Sequence, residues 1–241
     1  MKSAERVFDL YELFAELQAP QSLSELARKL SMPVSTCFNL VRAFERRGFL
    51  YSAGARRGFY PTKRMLQLVQ TIAHSDPMGG VVVERLLKLR DETAETVVMG
   101  KRVGDQILLL EVIESPHRIR YSANVGERRP VQINSMGKAL ISLLPATERE
   151  ELVTKLRFPK LTDRTIRSAR DYLADIERSA KRGWFLNDGE SVQDVIALAM
   201  PVVINTEAFA ITVAGPRYRL EPELEKRARQ LRDACRTIQD K

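Results

Sequence analysis

Apolar residues near the start of the chain recur at the spacing of two amphipathic helices. The first helix is predicted over residues 4–17, where one apolar face consists of Val7, Leu10, Tyr11, Phe14 and Leu17. The letters "APQS" interrupt this pattern. The letters "SLSE" then place Ser22 three positions before Glu25, which is the spacing of a capping box. This spacing predicts a second helix that ends near Leu30.

A third helix is predicted in "SMPVSTCFNLVRAFERRGFL", residues 31–50. Pro33 suits a first helical turn, Ser31 is a candidate N-cap, and Gly48 is a candidate C-terminal cap. The helical period assigns apolar residues to an inward face: Val34, Phe38, Val41 and either Leu40 or Phe44. It assigns small polar and basic residues to an outward face: Ser35, Thr36, Asn39, Arg42, Arg46 and Arg47.

The second and third helices are joined by a short turn, which makes them a candidate helix-turn-helix. In that motif the second helix enters the major groove of DNA, where Ser, Thr and Asn side chains bind bases or phosphates. In "FLYSAGARRGFYP", two β-prone runs then flank a predicted hairpin with Arg56 and Arg57 at its tip. A basic hairpin beside such a helix is typical of a winged helix, whose wing tracks phosphates or places an arginine in the minor groove.

Basic residues are concentrated in the same region. The whole chain has a formal net charge of +8, and residues 26–64 alone contain nine Lys or Arg residues against the single acid Glu45. The remainder of the chain is therefore close to neutral. A charge run is often only a solvated face, so a small helical subdomain with a solvated hairpin is an alternative. The helix pair, the hairpin and the local charge together favour DNA as the partner.

Beyond the hairpin, the pattern predicts a connecting helix over residues 63–76. Its apolar stripe consists of Met65, Leu68, Val69 and Ile72. The stripe packs either on a partner subunit or within the same chain.

From about residue 77, helical and strand patterns alternate. Helices are predicted in "VVVERLLKLRDET", "SMGKALISLL", "ATEREELVTKL", "ARDYLADIERSAKRG" and "EPELEKRARQLRDACRTI". Two strands are predicted in "ETVVMGKRVGDQILLLEVI", and further strands in "HRIRYSANVG", "WFLND", "VIALAMPVVI" and "FAITVAG". Antiparallel strands with helices grouped around them indicate an α+β domain.

The composition places few limits beyond a globular protein. The chain has 241 residues, of which 44% are hydrophobic and 29% charged, enough for one large or two modest domains. The charged N-terminus lacks the apolar core of a signal peptide, and no long uncharged apolar window predicts a membrane span. A cytoplasmic protein without a membrane partner is therefore expected, with Cys37 and Cys235 as reduced thiols.

Enzymatic chemistry has little support in the sequence. His74, His117 and the two cysteines do not have the spacing of metal ligands, and no Walker-type or dinucleotide-binding loop is present. The acidic pair Asp188 and Glu190 is of a kind common in loops. We therefore expect no catalytic residue, no metal and no cofactor.

Ligand binding is better supported, at the segment "NSMGKALIS". This segment begins a helix after an extended stretch, so the backbone N–H groups of Ser135, Met136 and Gly137 would be unpaired and able to bind a carboxylate. Gly137 would permit a close approach of the ligand to the backbone. The alternative is that Gly137 serves only helix packing.

The order of these segments resembles the IclR family of bacterial transcriptional regulators. The resemblance covers almost the whole chain, in "SAERVFDLYELFAE", "SLSELARKLSMPVSTCFNLVRAFERRGFL", "VGERRPVQINSMGKALIS", "TDRTI", "KRGWFLNDGES", "ALAMPVV" and "ITVAGPRYR". It implies a winged helix-turn-helix at residues 1–62, a connecting helix at 63–76, and a GAF-like α+β effector-binding domain at 77–241. Family members are usually dimers or tetramers that control operons for the catabolism of small organic or aromatic compounds.

The resemblance also places the two functional sites. It implies that residues 135–137 hold the acidic end of the effector, with an opposite wall formed by Arg118, Tyr121, Asp188, Ala197, Thr212 and Ala214. The expected DNA-binding residues are Ser22, Ser35, Thr36, Asn39, Arg42, Arg46, Arg56 and Arg57. Val34 and Asn39 stand where the family commonly has a basic residue and an arginine, so DNA recognition is expected to depend less on arginine.

The sequence thus predicts a cytoplasmic homodimer or homotetramer that binds double-stranded operator DNA. It is expected to sense a small organic acid, with an aromatic acid favoured, and to control a catabolic operon. The alternative is a GAF-like ligand-binding enzyme or storage protein with an incidental basic N-terminal module.

Overall fold

A computed structural model of the protein describes residues 2–54, 58–74 and 79–239. The chain divides into two compact units, Met1–Gly79 and Gly80–Lys241, which we call the N-terminal and C-terminal units. Each unit has a buried apolar core of its own. The functional boundaries at residues 62 and 76 stay a prediction.

The N-terminal unit follows the predicted order of helices and strands. Its helices are α1 (Lys2–Leu17), α2 (Leu23–Lys29), α3 (Val34–Arg46) and α4 (Arg64–His74), and its strands are β1 (Leu50–Ser52) and β2 (Phe59–Pro61). The predicted capping box begins α2: the Ser22 N–H donates to Glu25 Oε2 at 2.8 Å, and the Glu25 N–H donates to the Ser22 hydroxyl at 3.3 Å. These hydrogen bonds confirm the predicted capping box. The motif can be predicted from sequence because all of its residues lie within four positions of one another.

Helix α3 buries a different face from the predicted one. Cys37 and Val41 are its buried residues, and both belong to the core of the unit. Val34 is 53% exposed and Phe38 is 44% exposed, so the prediction that these two face inward is wrong. The period of the helix permits either of two neighbouring stripes to face the core. The stripe that contains the small Cys37 packs against α2, where the thiol lies 3.8 Å from the carbonyl oxygen of Leu23.

The two ends of α3 also differ in how well they were predicted. Pro33 is itself the N-cap, without a side-chain hydrogen bond to the helix. Ser31 lies two residues earlier in a left-handed turn with φ of 49°, so the prediction of Ser31 as N-cap is wrong. Gly48 does follow the helix with φ of 72°, and its N–H donates to the carbonyl of Glu45 at 2.9 Å. A glycine in this conformation satisfies a terminal carbonyl and ends the helix.

Strands β1 and β2 form an antiparallel hairpin, as predicted. Gln21 and Phe59 exchange backbone hydrogen bonds of 3.0 and 2.8 Å, which attach the hairpin to the segment before α2. Gly58 has φ of 81°, and a Cβ atom there would lie 2.1 Å from the carbonyl oxygen of Gln21. Only glycine permits this close approach of the two backbones.

Helix α4 carries the predicted apolar stripe on an exposed surface. Leu68, Val69 and Ile72 are exposed, as is Leu66 outside the predicted stripe. Contiguous apolar surface of this kind is typical of a contact with another surface.

The C-terminal unit is α+β, as predicted. Its helices are α5 (Gly79–Thr93), α6 (Ser135–Ser142), α7 (Ala146–Thr154), α8 (Ala169–Arg182), α9 (Arg217–Leu220) and α10 (Leu224–Gln239). Its strands are β3 (Thr96–Val103), β4 (Gln106–Ile113), β5 (Arg128–Pro130), β6 (Phe185–Asp188), β7 (Val195–Ile204) and β8 (Glu207–Pro216). They form a six-stranded antiparallel sheet in the order β5-β4-β3-β8-β7-β6.

The centre of this sheet is covered on both faces. Residues 96–100 of β3 are buried without interruption, unlike the alternation of a strand with one wet face. Helix α6 contacts β7 and β8 on the face that includes Val98, Ala199 and Ala210. Helix α10 also contacts β7 and β8. None of the helices within the described residues combines the length and the apolarity needed to cross a membrane.

The segment "HRIRYSANVG", residues 117–126, was predicted to be a strand, and this prediction is wrong. The strand at this edge of the sheet is the shorter β5, which pairs with Gln106–Leu108 of β4. Polar contacts hold the segment instead. The carboxylate of Glu114 accepts hydrogen bonds of 2.8 Å from both Arg120 and Ser122. The alternating pattern of this segment therefore belongs to a loop that is held by side-chain hydrogen bonds, and not to a strand that is held by backbone hydrogen bonds.

Candidate nucleic-acid interface and ligand pocket

The outward face of α3 combines a polar stripe with an apolar one. Its exposed residues are Val34, Ser35, Phe38, Asn39, Arg42 and Arg46, while Thr36 is half-buried. Ser35, Asn39 and Arg42 follow one another at four- and three-residue spacing and therefore share one side of the helix. Val34 and Phe38 form the neighbouring stripe. Helix α3 thus presents hydrogen-bonding, cationic and apolar groups together on one surface.

Arg42 is held in place on this surface. Its guanidinium lies 5.3 Å from the centre of the Phe38 ring, and its Nη1 atom lies 3.3 Å from Glu45 Oε2. A cation over an aromatic face is attracted by the negative face of the ring. The ring of Phe38 thus limits the positions that Arg42 adopts.

Ser22, another predicted DNA-binding residue, is the N-cap of α2. Its hydroxyl donates to Glu25 Oε2 at 2.7 Å within the capping box, and this hydrogen bond lowers the pKa of the Glu25 carboxyl. A contact between Ser22 and a phosphate would compete with the cap of α2. Arg56 and Arg57, the predicted hairpin tip, lie outside the described residues.

The two cysteines lie away from both candidate sites. Cys37 is buried on the inward face of α3, opposite the exposed surface, and burial raises the pKa of its thiol. Burial raises the pKa of Cys235 to about 12. Within the described residues, no group of three or more His, Cys, Asp or Glu side chains is arranged to hold a metal ion.

A cavity lies over the face of the sheet that carries α6, with a volume of about 410 Å³ including its open mouth. Six of the nine residues predicted to bind the effector line it: Tyr121, Ser135, Met136, Ala197, Thr212 and Ala214. The other lining residues are Val98, Leu109, Ile133, Asn134, Asn187, Ser191 and Val195. Water-sized spheres fit into only about 40 Å³ of it, which is well below the volume of typical ligand pockets.

Small side chains on the central strands leave room for this cavity. Ala197 of β7 pairs directly with Ala214 of β8, and Asn187 of β6 pairs with Ala197 on its other side. Residues that lie directly opposite on antiparallel strands project to the same face. The two alanines therefore form a hollow floor, which the larger Asn187 borders on one side.

The start of α6 forms one wall of the cavity, but it differs from the prediction. Asn134 is the N-cap, and its Oδ1 atom accepts a hydrogen bond of 2.9 Å from the Met136 N–H. The prediction that this N–H is unpaired is therefore wrong. A Cβ atom on Gly137 would lie 2.0 Å from the carbonyl oxygen of Val131, and Gly137 does not line the cavity. Gly137 thus lets α6 pack closely against the turn Val131–Ile133.

The cavity presents polar groups without charge. No Lys, Arg, His, Asp or Glu is among the described residues that line it. The Thr212 hydroxyl donates to the carbonyl of Leu198 at 2.7 Å, so its proton is already used. The Asn187 amide donates to the carbonyl of Ile133 at 2.6 Å, which leaves it a second N–H. Asn134, Tyr121 and Ser191, which also line the cavity, carry further hydrogen-bond donors.

A buried ionic cluster links α6 to the segment that follows β6, and both of these contribute residues to the cavity. The ammonium of Lys138, on α6, lies 2.8 Å from both the carbonyl oxygen of Leu186 and Oδ2 of Asp175, and it also donates to Glu190. Burial raises the pKa of the Glu190 carboxyl, and the charge of Lys138 opposes that rise. Glu190 lies between two residues that line the cavity, Asn187 and Ser191. Lys138 therefore joins the wall formed by α6 to the wall formed by this segment.

Besides Gly137, two predicted effector residues do not line the cavity. Asp188 is held by Arg164 and Arg217, whose nitrogen atoms lie 2.6 and 2.7 Å from its two oxygens. Arg118 is exposed in the loop before Tyr121. Tyr121 itself is fixed through its carbonyl oxygen, which accepts a hydrogen bond of 2.6 Å from the Thr96 hydroxyl.

Two family models match this chain. Residues 3–54 match the IclR helix-turn-helix domain, and residues 71–240 match the C-terminal domain of the bacterial transcriptional regulator IclR. The chain belongs to the IclR family. The resemblance seen in the sequence is confirmed, and the IclR-family domains coincide with the two parts that carry the helix face and the cavity.

Curated relatives within the IclR family are regulators of transcription. The chain is 24% identical over 220 residues to the "Probable transcriptional regulator SauR" of Cupriavidus necator, which covers 90% of this chain and 87% of SauR. It is 23% identical over 227 residues to the HTH-type transcriptional repressor AllR of Klebsiella pneumoniae, which covers 92% of this chain and 82% of AllR. The protein is therefore a transcriptional regulator with a DNA-binding and an effector-binding domain, and the enzyme alternative is wrong.

Solved IclR-family structures have the same fold. The IclR protein of Thermotoga maritima matches with a TM-score of 0.81 at 18% identity, over 100% of this chain and 98% of that one. An IclR homologue from Microbacterium hydrocarbonoxydans in complex with 4-hydroxybenzoate matches with a TM-score of 0.75 at 20% identity, over 98% and 96% of the two chains.

Sequence reasoning missed about half of the lining residues. Asn134 had a usable signal, since asparagine before a helix is a favoured N-cap. Asn187 and Ser191 lie at the end of a strand and in the loop after it, where polar residues have no single interpretation. Val98, Leu109 and Val195 carried no signal, because apolar residues of a doubly covered strand do not show which face they occupy.

Proposed function

We propose that this IclR-family protein is a cytoplasmic one-component regulator of a catabolic operon. Helix α3 and the wing bind operator DNA, and a small organic acid in the cavity changes that binding. The observation that carries the proposal is the cavity at the start of α6, present in the same chain as an exposed polar and basic helix face. Residues 1–62, 63–76 and 77–241 act as the DNA-binding, connecting and GAF-like effector-binding parts.

An organic acid fits the donors around the cavity. The start of α6 contributes on the order of 0.3–1 kcal/mol to an anion, and up to ~2 kcal/mol when partly buried. Micromolar affinity needs about −8 kcal/mol. Because no cation is among the described residues of the lining, the remainder comes from uncharged donors such as the Asn134 and Asn187 amides and from apolar contact with Val98 and Leu109.

An aromatic acid meets both demands, because its ring buries apolar surface while its carboxylate accepts hydrogen bonds. A bare dicarboxylate would bring a second charge to a cavity whose described lining residues include no cation. The complex of the Microbacterium hydrocarbonoxydans homologue with 4-hydroxybenzoate is consistent with this choice.

Oligomer formation follows from the stripe on α4. Val69 and Ile72 are exposed in the single chain, and a divided operator requires two DNA-binding domains at a fixed separation. We propose a homodimer or homotetramer that uses this stripe. The effector then shifts the equilibrium between two arrangements of the paired domains, by no more than its difference in affinity for the two.

The DNA contacts of the proposal fall into two groups. Ser35, Thr36, Asn39 and Arg42 on α3 contact base edges or nearby phosphates. Arg46, Arg56 and Arg57 contact the backbone and supply the salt dependence of binding, and Ser22 contacts a phosphate by giving up its hydrogen bond to Glu25.

The test uses the full chain and duplex DNA from upstream of its own gene. Binding is measured by fluorescence anisotropy with and without a panel of aromatic acids that includes 4-hydroxybenzoate. At least one acid is expected to change the DNA affinity about tenfold or more in the wild type. Ala214→Leu should fill the hollow floor and abolish this response, while DNA affinity without acid stays unchanged.

Ala146→Leu is the matched control, since Ala146 is exposed at the start of α7 and lies outside the cavity. It should respond to the acid as the wild type does. A normal response from Ala214→Leu would show that the effector binds elsewhere.

A further inference from the structure

The exposed apolar stripe of α3 lies outside the core of the N-terminal unit. Val34 and Phe38 are 53% and 44% exposed, and neither belongs to the core cluster that includes Cys37 and Val41. Two large apolar side chains that stay about half exposed side by side are typical of a surface that contacts a partner.

We infer that Val34 and Phe38 recognise thymine in the operator by contact with its C5-methyl group. The inference rests on the proposed role of α3 as the helix that enters the major groove. In that groove the thymine methyl is the apolar feature of the base-pair edges, whereas the other groups are hydrogen-bond donors or acceptors. An apolar side chain on a recognition helix is therefore matched to thymine.

The positions of the two residues fit this role. They occupy the first and second turns of α3, which spans Val34–Arg46, and N-terminal residues of a recognition helix contact base edges. The spacing of four places them on one side of the helix, directly beside Ser35 and Asn39. Asparagine forms a bidentate pair with adenine. The two stripes together are thus suited to A·T pairs.

The charge of the surroundings favours DNA as the occupant of this stripe. Residues 26–64 hold nine basic residues and one acid, and Arg42 lies at the edge of the stripe. A stripe that bound another protein chain through apolar contact alone would not need this local excess of cations, which instead matches the phosphates on both sides of a groove.

Phe38 also lies under Arg42, so a second role as a platform for that arginine must be separated from methyl contact. Phe38→Leu removes the aromatic ring but keeps an apolar side chain. Phe38→Ala removes the ring and leaves a single methyl group, which is too short to reach the position that the ring occupied. Methyl contact predicts that only the alanine variant loses its preference for thymine, whereas a platform role predicts that both variants behave alike.

The experiment replaces thymine by deoxyuridine, which removes the methyl group and changes nothing else in the base pair. The full chain is first used to select binding sites from a random duplex pool. Wild-type protein should enrich sites with thymine at fixed positions. Deoxyuridine at such a position should weaken binding about fourfold, the effect of burying one methyl group. Val34→Ala and Phe38→Ala should each abolish this penalty at one position, and Phe38→Leu should keep it.

Val203→Ala is the control, because Val203 is an exposed apolar residue of the C-terminal unit. It should leave the deoxyuridine penalty unchanged. Specific binding that is insensitive to deoxyuridine at every position would overturn the inference and leave the proposed function intact. Failure to enrich any sequence would overturn both. A change in sedimentation of Phe38→Ala, with the deoxyuridine penalty retained, would assign the stripe to a contact between subunits and also overturn it.

Discussion

Helices α3 and α6 both begin with a stretch that contains serine and another small residue, "PVSTC" and "NSMGK", yet their surroundings are opposite. Helix α3 starts on the surface, with Pro33 as an N-cap that makes no side-chain hydrogen bond. Helix α6 starts in the interior: residues 135–141 are all buried, and the Asn134 side chain caps the helix. Small residues at a helix start thus have two different uses. At α3 they leave a surface open to a large partner, and at α6 they let backbone elements pack closely around a small cavity.

This difference determines how function and stability are related at the two sites. The outward side chains of α3 do not contact the core, so their loss should change DNA binding and leave folding unaffected. The residues of α6 pack on the sheet, the neighbouring turn and the buried ionic cluster, so most changes there should alter stability as well. Trp184 is the single tryptophan of the chain and lies in the C-terminal unit, so its fluorescence reports the unfolding of that unit.

The largest expected effect is that of Lys138→Met. This change leaves the carboxylate of Glu190 buried without its cation, whereas the half-buried Asp175 keeps Arg178, and it should lower the free energy of unfolding of the C-terminal unit by about 3–5 kcal/mol. Urea unfolding followed by Trp184 fluorescence measures the loss. Lys88→Met is the control, because Lys88 forms a 3.8 Å surface pair with Glu92 and its removal should change stability by about 0.5 kcal/mol or less. Equal effects of the two variants would mean that burial of the cluster is not what matters.

A smaller decrease in the free energy of unfolding of the C-terminal unit is expected for Gly137→Ala. The added Cβ atom would collide with the carbonyl oxygen of Val131, so α6 must shift, at a cost of about 2–3 kcal/mol by analogy with overpacked cores. The same urea experiment measures it. Gly80→Ala serves as the comparison, since Gly80 has nothing within 4 Å of an added Cβ and lies in a helix, where alanine should cause no loss. Unchanged stability of Gly137→Ala would restore the idea that this glycine serves ligand approach alone.

The smallest effect on stability is expected for Ser35→Ala and Asn39→Ala on α3. Both side chains are exposed, so the free energy of unfolding should change by about 0.5 kcal/mol or less. Each variant should nevertheless bind its selected operator about tenfold more weakly, with little change on random DNA, because a base contact contributes about 1–3 kcal/mol of discrimination. Anisotropy titrations on both DNAs, paired with thermal melts, test the separation. Parallel losses of melting temperature and operator affinity would contradict it.

The two sites also differ in how much of each was accessible to sequence reasoning. The helix-turn-helix and the start of α2 depend on residues three or four positions apart, and the predictions of both were correct. The buried face of α3 was not, because Val34, Cys37 and Phe38 all fit a helical period and only packing against α2 selected the cysteine. At the cavity, Ser135 and Met136 were found from a local helix start. Val98 and Leu109 were not, because their strands are distant in sequence from α6.

The sequence by itself determined the order of most helices and strands, the basic region and the family, since each follows from local patterns or their succession along the chain. The tertiary structure decided which side chains meet. Ala197 and Ala214 form the cavity floor only because β7 and β8 pair in one register. Lys138 and Glu190, 52 residues apart, form their buried pair only because α6 packs beside β6. Local rules are carried by neighbouring backbone atoms. Register and packing depend on many weak contacts made together across the fold, and no short stretch of sequence contains them.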